Sequence, residues 1–255
     1  MNSGQTLLIN LLIIISILIS GVIPQSILIS GNRKVAKDDV VYCNSWKFSV
    51  EANDAGSWKQ VPERCLEFVK NYVTGDQYVS DSGLVAYDSL EFAKTVEIRG
   101  DGKDVWIFDI DETLLSNLPY YAEHGFGTEI FNDIAFNQWV DSAECPAIPA
   151  SLKLYNELRR LGFTIILLTG RDEHQRSSTI KNLLIAGYSG YQSLILREPS
   201  DHGKIAEVYK SEKRKELENE GYRIHGNSGD QWSDLFGAPT ATRSFKLPNP
   251  MYYIA

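Results

Sequence analysis

The chain has 255 residues, with 25 Lys and Arg against 33 Asp and Glu, a formal charge of -8, and 43% hydrophobic and 11% aromatic residues. Those values suit an ordinary globular protein built from one elaborated domain or two small units. The acidic surplus argues against a nucleic-acid partner, because holding that polyanion relies on Lys and Arg to neutralise phosphates.

Residues 7–19 (LLINLLIIISILI) are almost purely apolar and give way to Ser20, Gly21 and Pro24. This is the pattern of the h-region of a secretory signal peptide, without the usual Lys or Arg ahead of it. Cleavage within residues 1–30 is the expectation, resting on Asn10 and on the breaks at Gly21 and Pro24. Counted on to Ile29, the apolar stretch approaches the roughly 20 residues of a bilayer span, so an uncleaved anchor is the alternative. No stable membrane association is expected once the signal is removed.

Residues 31–104 read as a helical extension ahead of the core. Leu66, Val69, Tyr72 and Val73 recur at helical spacing within residues 61–73, and Tyr87, Leu90 and Ala93 do so within residues 84–98. Three cysteines are present, Cys43, Cys65 and Cys145. In an oxidising compartment an even subset should pair, and Cys43 with Cys65 is the simplest choice because both lie in this extension; the alternative is three reduced, buried thiols. The polar turn RGDGKD (residues 99–104) separates the extension from the core.

Residues 105–116 (VWIFDIDETLLS) are the most informative stretch. An apolar run without polar alternation reads as a strand buried on both faces of a parallel sheet, and it stops at Asp109 and Asp111, where such sheets place their ligands. Residues 114–148 are rich in aromatics and lack clear periodicity, which makes a lid of them. Tyr120, Tyr121, Phe126, Phe131, Phe136 and Trp139 suit the lid's own small core better than a stacking platform. A helix over residues 150–161 ends at Gly162, followed by a strand over 163–168. A helix over 172–186, capped by Asp172 and stopped by Gly187, leads to a strand over 193–196. A charged helix beginning near Ser211 leads to Gly221 and the strand that ends at Gly229 and Asp230. Alternation of strands and helices implies parallel βαβ construction. Asp109, Thr169 and Asp230 each fall at a strand's carboxyl end and can share one crevice.

The order of Asp-x-Asp-x-Thr (Asp109, Asp111, Thr113), a strand-terminal Thr169, a lysine in VYKSEKRKE and Gly229-Asp230-x-x-x-Asp234 resembles the haloacid dehalogenase-like superfamily of phosphohydrolases. Within it, FDIDETLLSNLPYYAEHGFG, PASLKLYNELRRLGF, LLTGR, YKSEKRKELE and GYRIHGNSGDQWSDL look like the plant acid phosphatases that include the vegetative storage proteins. The resemblance implies an α/β fold with a doubly wound, mainly parallel sheet, a Rossmann-like core over residues 105–255, a lid insertion after the first core strand and the helical extension before it. It implies an acid phosphatase that hydrolyses phosphate monoesters through an aspartyl-phosphate intermediate with Mg2+. In that scheme Asp109 is the nucleophile and Asp111 the general acid and base. Asp109, the Asp111 carbonyl and Asp230 hold the cation, and Asp234 orients its surroundings. Thr169 and a lysine stabilise the phosphoryl oxygens.

Lys210 is preferred to Lys213 because it lies just before the expected cap at Ser211, whereas alternating Lys and Glu ordinarily marks a solvated helix face. Arg171 reads either as a phosphate contact or as an exposed residue closing a helix start. The four histidines are scattered and fit no histidine-dependent phosphatase motif. The same resemblance implies a secreted protein, vacuolar or extracellular, acting on small phosphate monoesters and often homodimeric. Its rival reading is a vegetative storage protein, an amino-acid reserve with little catalysis. Some storage members replace the nucleophilic Asp, and Asp109 is present here.

Overall fold

Strand β1 (Asp104–Phe108) is buried at every residue and lies at the centre of a five-stranded sheet. The computed structural model describes residues 38–255, so the expected signal segment lies outside the described residues. The neighbours of β1 are β2 (Thr164–Asp172) and β4 (Arg223–Gly229), while β3 (Ser193–Arg197) and β5 (Arg243–Lys246) form the edges. All four pairings are parallel; Ile107 stands level with Ile166 on one side and with Asn227 on the other. In the order β3-β2-β1-β4-β5 the chain winds outward through β2 and β3, then returns to the other side of β1. The crevice where the winding reverses opens between β1 and β4.

Alternating residues of β1 face opposite layers, as the pleat requires. Trp106 and Phe108 pack with Ile165 and Leu167 against Leu154, Tyr155 and Leu158 of α6 (Pro149–Arg160) and Leu183 of α7 (Arg176–Ile185). On the opposite face Val105, Ile107, Ile166 and Leu168 pack against Tyr209 and Leu217 of α8 (Ala206–Asn219). Each fully buried side chain of this kind contributes roughly 1.5–3 kcal/mol relative to exposure. Trp106 satisfies its indole by donating to Ser228 Oγ (2.9 Å), which ties β1 to the end of β4.

A third core joins the extension to the lid. The extension comprises α1 (Asp39–Glu51), α2 (Leu66–Val73) and α3 (Asp76–Ala93); the lid holds α4 (Leu118–Glu123) and α5 (Asp133–Ser142). Val61, Val69 and Tyr72 of the extension share a cluster with Tyr120, Tyr121 and Phe126 of the lid. A disulfide links Cys43 and Cys65, with Cα atoms 5.5 Å apart, and both are fully buried in that cluster. Cys145 is a buried free thiol.

Several expected boundaries move. The helix expected over residues 84–98 spans Asp76–Ala93. Helix α8 begins at Ala206, not near Ser211, so Lys210 stands inside the helix and not before its cap. The lid carries two helices, separated by a reversal at Phe126 (φ 52°) that breaks any single period. Helix α1 and strand β5 had no counterpart in the sequence reading. Only Cys43 and Val50 of α1 are buried, too few to mark an apolar face, although Asp38 caps it by accepting from Val40 N and Val41 N.

Candidate active site

Just past β1, Asp109 still donates its amide to Ser228 O (3.0 Å), so its side chain is delivered to the crevice by the sheet itself. Asp230 follows the last residue of β4, and Asp234 lies in the short α9 (Trp232–Leu235). Gly229 permits this turn because a Cβ there would lie 2.4 Å from Asp234 Cβ. Carboxylate oxygens of Asp109, Asp230 and Asp234 all lie within 4.8 Å of one another, and all three residues are buried.

Lys210 reaches them from α8, whose buried residues Ala206, Tyr209, Lys210, Arg214 and Leu217 recur at helical spacing along one side. Its Nζ donates to Asp109 Oδ1 (2.5 Å) and to Asp234 Oδ1. Lys213, one turn further along, is only partly buried and pairs instead with Glu216 (3.1 Å) and Asp201 (3.9 Å). Of the two lysines named from the sequence, Lys210 is the one in the crevice.

One ammonium among three carboxylates leaves surplus negative charge. Burial, reinforced by the neighbouring acids, pushes Asp109 well above the usual carboxylate range and Asp230 up to about 8. Lys210 is raised because Asp109 and Asp234 outweigh its own burial. An all-oxygen, acid-rich cluster of this kind fits a hard divalent cation, which would offset the repulsion. Both oxygens of Asp234 take a short hydrogen bond, one from Lys210 and one from Gln231 N (2.9 Å), whereas Asp230 Oδ1 meets only Thr113 Oγ1 at 3.4 Å, so Asp109 and Asp230 are the better-placed side-chain ligands.

Asp111 is held differently. Arg171 grips it with Nε on Oδ2 (3.0 Å) and Nη2 on Oδ1 (2.7 Å), and Asn117 Nδ2 donates to Oδ1 (2.9 Å). Burial alone would raise this carboxyl, but the Arg171 charge and fork bring it below its ordinary value. Arg171 is 5% exposed, which removes the reading of it as an exposed residue closing a helix start; with its fork on Asp111 it also lines the cavity that Asp109 and Lys210 reach. Thr169 is fully buried, and its hydroxyl accepts from Arg171 N (3.2 Å). Thr113 donates to Asp230 Oδ1 (3.4 Å).

The sequence reading missed Glu112, Asn117, Gln231, Asn249 and Tyr252. Glu112 is fully buried, adopts a positive φ of 51° and accepts from Asn117 N and Tyr252 Oη, each at 2.5 Å. Burial raises its carboxyl to about 7. These residues are single polar groups in aperiodic segments; only the pinning of Asn249 between Pro248 and Pro250 offered a signal. Above the cluster a cavity of about 800 Å3 opens, lined by Trp58, Phe131, Phe136 and Tyr253 and reaching Asp109 and Lys210.

Comparison with known proteins agrees with this geometry. A model of the HAD superfamily, subfamily IIIB (acid phosphatase), matches residues 30–255. The chain is 51% identical over 235 residues to acid phosphatase 1 of Solanum lycopersicum, covering 92% of each chain. It is 41% identical over 214 residues to vegetative storage protein 2 of Arabidopsis thaliana, covering 83% of this chain and 80% of that one. Among solved structures, a class C acid phosphatase from Bacillus anthracis with tungstate bound superposes with a TM-score of 0.56 at 22% identity, covering 74% and 85% of the two chains, a likeness of fold.

Proposed function

The chain belongs to the acid phosphatases of HAD superfamily subfamily IIIB, and from that membership and the crevice geometry we propose that Asp109 is the nucleophile of a two-step phosphate monoester hydrolysis. The observation that carries the proposal is the convergence of Asp109, Lys210, Asp230 and Asp234, drawn from three separate stretches of chain into one buried cluster.

In the first step an Asp109 oxygen forms a bond to phosphorus as the bond to the leaving oxygen breaks, giving an aspartyl phosphate and an alcohol. Asp111 supplies the proton to the leaving oxygen. In the second step water attacks phosphorus, Asp111 takes back a proton, and phosphate departs with Asp109 restored. Lys210 and Thr169 stabilise the charge that spreads over the phosphoryl oxygens. Asp109, Asp230 and the Asp111 carbonyl would hold Mg2+, which would supply positive charge against the anionic ester. Asp234 fixes Lys210.

The Arg171 fork, by lowering the Asp111 carboxyl, predicts a preference for acidic conditions. An acid whose proton affinity is lowered donates readily, but it carries its proton only where the pH is low. The residues 1–30 signal reading, together with a disulfide between Cys43 and Cys65, supports a secretory route to a vacuolar or extracellular site. Among the described residues no helix is long and apolar enough to cross a membrane. Homodimerisation is part of the proposal and is read out by the mass of the purified protein in solution. A second role in storage is favoured by the 41% identity to a vegetative storage protein. The deciding test is hydrolysis of p-nitrophenyl phosphate at about pH 5–6, with and without Mg2+, beside Asp109→Asn. Turnover that is lost in the variant supports catalysis; equally slow hydrolysis by both leaves storage as the role.

A further inference from the structure

Past β5 the chain does not leave the crevice. Leu247 N donates to Gly229 O (2.9 Å), and from there residues 247–255 cross the carboxyl end of the sheet as a strap. Asn249 Nδ2 donates to Asp230 Oδ2 (2.7 Å), while its own Oδ1 accepts from Met251 N (2.9 Å). Tyr252 Oη donates to Glu112, and its ring stacks on Tyr121 of the lid with centroids 5.2 Å apart. Ile254 is held from both sides, its amide donating to Gln231 Oε1 (2.9 Å) and its carbonyl accepting from Ser233 Oγ (2.8 Å). At Gly127 the lid backbone approaches so closely that a Cβ would lie 2.0 Å from Met251 O. One segment therefore touches the loops after β1 and β4 and the lid.

Asp230 is the carboxylate in this cluster that Lys210 does not bond. Its orientation depends on neutral donors: Oδ2 takes hydrogen bonds from Gln231 Nε2 (2.6 Å) and Asn249 Nδ2, whereas Oδ1 has Thr113 Oγ1 at 3.4 Å. Two donors on one oxygen fix the carboxylate plane and leave the other oxygen with only the long contact to Thr113, within a cluster whose carboxylate oxygens lie within 4.8 Å of one another. Asn249 is 2% exposed and its amide is locked at both ends, so it cannot relax away. Pro248 and Pro250 restrict the backbone on either side of it.

We propose that residues 247–255 set the affinity of the site for its divalent cation, with Asn249 as the positioning residue that aims Asp230. The proposal rests on the phosphatase reading above. It assigns Asn249 no contact with substrate, so its removal weakens cation binding while leaving the chemistry available once the cation is in place.

The test is calorimetric titration of Mg2+ into cation-free protein, comparing wild type with Asn249→Leu and Asn249→Ser, alongside kcat as a function of Mg2+. Loss of such an outer hydrogen bond ordinarily costs about 10–100-fold in metal affinity, and that rise in the Mg2+ dissociation constant is expected for Asn249→Leu, with kcat recovering at saturating Mg2+. Asn249→Ser, which retains a short donor, should fall between the two, and it carries the same criterion if Asn249→Leu does not fold. A dissociation constant within about twofold of wild type overturns the proposal, as does a loss of kcat that saturating Mg2+ does not restore. A wild type that takes up no cation overturns the phosphatase reading as well, whereas cation uptake that is equal in wild type and variants sinks the strap proposal alone.

Discussion

Strand β1 carries a buried aspartate at each end, and the two are treated in opposite ways. Asp104, at its start, accepts from Arg223 Nε (2.8 Å) and Arg99 N (2.7 Å) and pairs with His225 (2.8 Å), so its charge is fully answered. Those partners, Arg223 first, hold its carboxyl far below the usual range even against burial. Asp109, one residue past the other end, shares a single lysine with Asp234 beside a third acid, and burial with those neighbours raises it. Same strand and same residue type, yet one site is closed and the other is left short of positive charge. Acids that a fold leaves under-compensated mark where a cation and an anionic substrate are meant to enter.

The contrast is broken most sharply by neutralising each end in turn. Asp109→Asn should lower kcat on p-nitrophenyl phosphate by at least about 10^4-fold, since the covalent step is lost, while the folded state persists because one repulsive charge has gone. Lys210→Met, which leaves Asp109 and Asp234 facing each other uncompensated, should reduce kcat by about 10^2–10^3-fold.

Arg171→Gln sharpens the comparison inside the crevice. Without the fork, burial dominates at Asp111 and its carboxyl rises, so the proton needed for the leaving oxygen is retained to higher pH. The alkaline limb of the kcat/KM profile should then move upward by about one pH unit or more, equivalent to about 1.4 kcal/mol per unit. An unmoved limb would mean that Asp111 is not the group whose protonation governs that limb.

Asp104→Asn should leave kcat unchanged and lower the melting midpoint. A carboxyl whose folded value is depressed adds stability above its unfolded value, about 3.9, and loses it as the pH falls toward the folded value. The difference in midpoint between wild type and Asp104→Asn should therefore be full at neutral pH and close progressively below about pH 4. If catalysis fell instead, the two ends of β1 would not be functionally separate.

Legibility in the sequence followed the same division. The apolar run of β1 and the positions of Asp109 and Asp230 just past their strands could be read because a doubly buried strand has a pattern and an abrupt end; Thr169, expected at a strand's end, lies inside β2, which runs on to Asp172 past a register irregularity after Leu168. Helix caps at Asp172 and stops at Gly162 and Gly187 were legible for similar local reasons. Lys210 was named on a wrong premise about where α8 begins; what selects it is its place in the buried stripe between Ala206 and Arg214. Asn117 and Gln231 carry no local pattern, and Asn249 only its two flanking prolines, because each matters through a partner brought near by the fold. The pairing of Arg171 with Asp111 spans 60 residues and was invisible for the same reason.

The most direct test of Asp109 as nucleophile is to quench the enzyme in acid during turnover of 32P-labelled monoester and to locate the label by peptide mapping. A hydroxylamine-labile phosphate on the peptide containing Asp109, absent from Asp109→Asn, is the expected result. An active enzyme that carries its label on another residue, or that turns over with none on Asp109 at any quench time, contradicts it.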